Sequence, residues 1–127
     1  MNAEGGLILI VEDEKGIRES TAEYLRALNY RVVEASNGFE ALEMTANDTA
    51  RPDLVVTDVV MPGMTGPEMA QRLRMRWPDL KFIFMTGYTE EPLLRHGEFL
   101  KSVLLKKPFN LRVLGGKIQE ALAAKAS

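Results

Sequence analysis

The chain has no cysteine among its 127 residues. That excludes a disulfide framework, a thiolate zinc centre and a cysteine nucleophile. Histidine is nearly as scarce. His96 stands alone, so no histidine cluster can hold a metal, and its segment lacks a helical His-and-acid pattern, which makes it a surface residue. Long apolar runs are missing too: Leu7 to Val11 (LILIV) is far shorter than the roughly 20 residues a membrane-spanning helix needs. That run has no basic cluster before it and meets Glu12 and Asp13 directly, unlike a signal peptide. These absences predict a cytoplasmic chain with no membrane insertion. Nor is there an excess of one charge: 16 Lys and Arg against 18 Asp and Glu leave a formal net charge of -2. A broad basic field is absent, which argues against direct nucleic acid binding.

What is present is enough for one packed domain. Hydrophobic residues make up 46% and charged residues 27%, close to soluble globular averages. The whole of 1–127 reads as a single domain with its core at about 7–122, since no repeat, low-complexity tract or linker interrupts it.

Along the chain, strand-type and helix-type segments alternate. Leu7–Val11 is a continuous apolar run of the kind covered on both faces in a parallel sheet. A helix is predicted over Glu14–Leu28, with Ile17, Thr21, Tyr24, Leu25 and Leu28 on one face and Asn29 closing it. Arg31–Ala35 is a second strand, and Ser36, Asn37 and Gly38 turn into a helix from Phe39 to about Ala46. LVVTD, ending at Asp58, is a third strand. After the loop residues Pro62, Gly63 and Gly66, Pro67 opens a helix to about Arg76, with Met69 and Leu73 on its inner face.

Lys81–Met85 is a fourth strand, followed by a loop of Thr86, Gly87 and Tyr88; Glu90–Lys101, broken by Pro92 and Gly97, is a short or mobile helix. Ser102–Leu105 is a fifth strand. Asn110 caps a last helix carrying Leu111, Leu114, Ile118 and Leu122 on one face. Gly115 and Gly116 are anomalous there, each costing about 1 kcal/mol relative to alanine. Close packing on the sheet accounts for one of them. Met61, Met64, Met69, Met75 and Met85 fall on core or loop faces as gap-fillers.

Alternating strands and helices imply parallel pairing with helices on both faces of the sheet. Functional groups in such sheets collect at the carboxyl ends of the strands. Those ends hold Glu12 and Asp13, Asp58, Thr86, and Lys106 with Lys107. Clustered carboxylates raise one another's pKa unless a cation intervenes. A hard ion that binds few carboxylates and completes its shell with water and phosphate oxygens fits this set, and Mg²⁺ is such an ion.

Together ILIVEDE, LVVTDVVMPGMTG, FMTG and LLKKPF resemble the receiver domain of bacterial two-component response regulators, over about Leu7 to Ala121. The resemblance implies a flavodoxin-like (CheY-like) three-layer α/β sandwich, a five-stranded parallel sheet in the order 2-1-3-4-5. It implies Asp58 as phosphoacceptor, Asp13 as a direct Mg²⁺ ligand, Glu12 acting through water, and the backbone carbonyl of Val60 as a further ligand. Thr86 and Lys107 take the places of the hydroxyl and lysine that contact the phosphoryl group. Gly87 leaves space beside it, while Val60 and Tyr88 flank the path of attacking water. Leu104 departs from the pattern, standing where many receivers carry a Tyr or Phe that reports phosphorylation; Tyr88 is a nearby aromatic available as a substitute.

The implied partner is a histidine kinase or histidine phosphotransfer protein, with no effector domain inside the chain. VVMPGMTGPEMAQRL, FMTGY and LLKKPFN look most like the receiver of a hybrid histidine kinase, a stand-alone regulator being the alternative. Two rival functions fit less well. An aspartate-nucleophile phosphatase needs a second Asp where Val60 stands, and a flavodoxin needs a phosphate loop where Glu12, Asp13 and Glu14 would repel it.

Overall fold

A computed structural model describes residues 6–47, 51–87, 103–107 and 109–124. Within them lie β1 (Leu7–Val11), α1 (Lys15–Ala27), β2 (Arg31–Ala35), α2 (Gly38–Met44), β3 (Leu54–Asp58), α3 (Gly66–Arg76), β4 (Lys81–Thr86), β5 (Val103–Lys106) and α4 (Leu111–Ala124). The strands form one sheet in the order β2-β1-β3-β4-β5, every pair parallel. The predicted order therefore holds. The expected helix over Glu90–Lys101, together with Tyr88 and His96, lies outside the described residues.

Strand side chains alternate between faces, and the apolar runs fill both. Leu9, Val11, Val55, Phe82 and Phe84 pack with Ala41, Met69, Ala70 and Leu73 of α2 and α3. Ile8, Ile10, Leu54, Val56, Ile83 and Met85 pack with Ala22 and Leu25 of α1 and with Leu114 and Ile118 of α4. Each fully buried aliphatic side chain contributes about 1.5–3 kcal/mol of burial energy. These two layers of contact, one on each side, hold the strand ends in register.

Local chemistry sets the helix ends. Asn37 and Asn110 accept the N–H of Glu40 and Val113, each at 2.8 Å, capping α2 and α4. Thr65 and Glu68 form a reciprocal capping box on α3, with Pro67 in its first turn. Asn29 terminates α1 with φ +76: its N–H donates to Arg26 O and that of Tyr30 to Leu25 O. That pattern is a Schellman motif, with asparagine in the left-handed position that glycine more often takes.

Three expectations are corrected. Ile17 and Leu28 are 42% and 44% exposed, and the buried residues of α1 are Thr21, Ala22 and Leu25; Ile17 lines an open cavity instead of the core. Met75 is 83% exposed, because it lies two residues, over half a turn, past inward-facing Leu73. Gly115 packs on α1 and not on the sheet: a Cβ there would meet Tyr24 and Leu28 at 3.4 Å. Among the described residues nothing lies within 4 Å of a Cβ placed on Gly116. The structure supplies no packing reason for the second glycine.

Candidate functional site

Parallel pairing delivers the strand ends to a single edge. Val11 sits beside Thr57, Asp58 beside Met85 and Thr86 beside Lys106, so the polar residues at or just beyond those positions converge. Ligand atoms of Glu12, Asp13 and Asp58 all lie within 4.8 Å of one another. Lys107 reaches in from the end of β5, its Nζ 2.7 Å from Asp58 Oδ1. The Lys107 backbone is fixed in turn by its N–H donating to Thr86 O at 2.9 Å.

Burial makes this cluster electrostatically costly. Asp58 is 2% and Glu12 3% exposed, whereas Asp13 is exposed. Burial first, then a hydrogen bond shared with Asp58, pushes the Glu12 carboxyl up to about 7 from its ordinary 4.5. Burial also raises Asp58, against the opposing pull of the Glu12 hydrogen bond and of Lys107. Glu12 Oε2 accepts the Glu14 N–H at 3.0 Å. Its Oε1 is buried with no donor from the protein among the described residues. Three clustered acidic side chains, two of them buried, make a set that a divalent cation would neutralise.

The remaining expected residues are placed as follows. Thr86 is fully buried, and its hydroxyl donates to Gly87 O at 3.0 Å, so it is engaged with a loop carbonyl and not with Asp58. Gly87 follows directly at the end of β4. Val60, two residues past Asp58, is 47% exposed, and Leu104 on β5 is 44% exposed. Lys106 is exposed.

Two contributors were not singled out from sequence. Gly66 begins α3 directly against the end of β3: a Cβ would lie 2.2 Å from Asp58 O, and the Gly66 N–H donates to Val59 O at 2.7 Å. Its signal was present as the glycine before Pro67, but only as a loop residue. Arg18 donates to the backbone carbonyl of Glu12 at 2.9 Å, a contact across six residues that periodicity cannot reveal.

The chain belongs to the response regulator receiver domain family, whose model matches residues 8–119. These are the phosphoaccepting modules of two-component systems. Among individual proteins, it is 41% identical over 116 residues to the sensor kinase CckA of Brucella abortus, covering 91% of this chain but 12% of that protein. It is 31% identical to sporulation initiation phosphotransferase F of Bacillus subtilis, covering 94% of this chain and 96% of that one. Response regulator receiver protein CpdR of Brucella abortus is 35% identical, over 92% and 97% of the two chains. Among solved structures, the receiver domain of hybrid histidine kinase CckA superposes with a TM-score of 0.77 at 32% identity, covering 92% of this chain and 99% of that one. The chain thus spans a small part of some relatives and nearly all of others. Among the described residues no helix is long and apolar enough to cross a membrane.

Proposed function

We propose that Asp58 is the phosphoacceptor of this receiver and that a phosphohistidine on a histidine kinase or phosphotransfer protein is its donor. The observation that carries this reading is the convergence of Glu12, Asp13 and the Lys107 ammonium on one buried aspartate. An Asp58 oxygen attacks phosphorus, the P–N bond to the donor imidazole breaks, and the imidazole departs with the bonding pair. Lys107, already 2.7 Å from Asp58, offsets charge on the transferring oxygens. Mg²⁺, held by Glu12, Asp13, Asp58 and the Val60 carbonyl, would supply the remaining positive charge. Once the acyl phosphate is formed, Thr86 can exchange its bond to Gly87 O for a phosphoryl oxygen. That exchange reorders the loop after β4 and changes the surface a partner meets.

A cavity of about 610 Å³ adjoins the site, and its lining includes Glu12, Lys107, Ile17, Met85, Phe109 and Leu111. It supports docking of a protein partner beside Glu12 and Lys107. The 41% identity to a sensor kinase supports the receiver of a hybrid histidine kinase. The near full-length match to two short relatives supports the stand-alone alternative. The chain functions in the cytoplasm on this reading.

Incubation with acetyl phosphate and Mg²⁺ tests the assignment. One acid-stable, hydroxylamine-labile phosphate per chain is expected, absent in Asp58→Ala. Sustained hydrolysis of phosphate esters, or undiminished labelling of Asp58→Ala, would overturn it.

A further inference from the structure

The backbone of Glu12 is held from both sides. Its N–H donates to Ala35 O at 3.0 Å, which belongs to the edge strand β2. Its carbonyl accepts from Arg18 Nη1 at 2.9 Å. Arg18, with its side chain 16% exposed, also pairs through Nε with Glu34 Oε1 at 3.5 Å. The other Glu34 oxygen takes Arg26 Nη1 at 3.3 Å, and Arg26 Nη2 donates to Val32 O at 2.8 Å. A chain of charge-assisted contacts therefore runs from β2 through α1 to one carbonyl oxygen beside the acidic pair.

That oxygen belongs to the peptide joining Glu12 to Asp13. Because the peptide is planar, fixing its carbonyl fixes the direction in which the next Cα leaves it. Asp13 is exposed, so the position of its Cα, set by this peptide, bounds where its carboxylate can reach. The guanidinium serves the Glu12 carbonyl through Nη1 and the Glu34 carboxylate through Nε; a lysine would have to serve both from one nitrogen.

We propose that Arg18 is a positioning residue, which holds the Glu12–Asp13 peptide so that both carboxylates converge with Asp58 on a divalent cation. The role rests on the reading of Asp58 as a cation-dependent phosphoacceptor. Removing outer partners of a metal site costs about 10- to 100-fold in metal affinity. Arg18 acts through one peptide, so the lower end applies.

The test compares Arg18→Met with Arg26→Met. The latter removes the other Glu34 partner and the bond to Val32 O but leaves the Glu12 carbonyl bond in place. Mg²⁺ is titrated into each unphosphorylated protein and followed by the amide NMR shifts of Glu12 to Glu14. Labelling with acetyl phosphate is then measured across Mg²⁺ concentrations. Arg18→Met is expected to bind Mg²⁺ about tenfold more weakly, with the labelling rate at saturating Mg²⁺ largely preserved. Arg26→Met should lose thermal stability while keeping wild-type Mg²⁺ affinity. Glu34→Gln, which loosens Arg18 without removing it, should shift affinity the same way by a smaller factor, and it stands in if Arg18→Met does not fold. Wild-type Mg²⁺ affinity in both Arg18→Met and Glu34→Gln would overturn the proposal, as would an equal loss in Arg26→Met. A wild-type chain that binds Mg²⁺ but takes no phosphate would overturn the phosphoacceptor reading instead, and the variants' titrations would still decide the role of Arg18. A wild-type chain that binds no Mg²⁺ would overturn both.

Discussion

Replacing Gly66 with alanine tests how β3 is locked to the helix behind it. The added Cβ would lie 2.2 Å from Asp58 O, 3.2 Å from Asp58 C and 3.3 Å from Val59 Cα. All three are backbone atoms, so no rotamer change relieves the overlap. The short Gly66 N–H to Val59 O bond at 2.7 Å resists separation of the two segments. Overpacking of this kind costs about 1–3 kcal/mol, and a rigid backbone neighbour places it toward 3. With an unfolding entropy of about 2.1 cal/mol/K per residue, a loss of 2–3 kcal/mol lowers Tm by roughly 8–11 °C. Displacing the Asp58 backbone by a fraction of an ångström should also slow labelling by acetyl phosphate by roughly 10- to 100-fold. Gly116→Ala is the matched comparison: open space surrounds it among the described residues, and the helix-propensity gain of about 1 kcal/mol should raise Tm without changing labelling. Calorimetry and a timed labelling assay read both effects. A Gly66→Ala protein with wild-type Tm and rate, or a Gly116→Ala protein as damaged as Gly66→Ala, would refute the packing argument.

Three other outcomes are expected. Folded Glu12 keeps a proton up to about pH 7, whereas the unfolded chain gives it up near its ordinary 4.5. In divalent-free buffer this contribution to stability is present below pH 4.5 and lost as pH rises through 7; urea midpoints should show the loss, and a slope identical in Glu12→Gln would contradict it. Lys107→Ala removes an opposing influence on Asp58, so carboxyl NMR should show the Asp58 pKa rising further, while labelling slows on the order of a hundredfold; an unmoved titration would count against the ion pair. Leu25→Ala should cost about 2–5 kcal/mol, because Leu25 is fully buried, whereas Ile17→Ala, at a 42% exposed position, should cost well under half of that. Equal losses by urea denaturation would mean the wrong face of α1 has been assigned to the core.

The site was legible because a parallel α/β sheet reduces a three-dimensional question to a linear one. If strands run the same way, the residues following each apolar run share an edge, and Glu12, Asp13, Asp58, Thr86 and Lys107 can be collected from the chain alone. The strand order came from the resemblance carried by the motifs around those positions. Ile17 was misplaced because helical periodicity marks an apolar stripe without saying where the sheet beneath it ends. Met75 was misplaced because its residue type was given more weight than its offset from Leu73.

By itself, then, the sequence determined the alternation of elements, the two-sided burial of the strands, the helix cap at Asn110, and the acids and lysine at one edge. These follow from local periodicity, backbone preference and chain direction. Only the tertiary structure decided that Gly66 abuts the Asp58 carbonyl, that Arg18 grips the Glu12 carbonyl, and that Gly115 admits Tyr24 of α1 and Leu28 at its end. It also decided that burial beside Asp58 holds Glu12 near pH 7. Each of these depends on a distance between atoms brought together by the packed sheet and helices, and no local pattern of residues encodes such a distance.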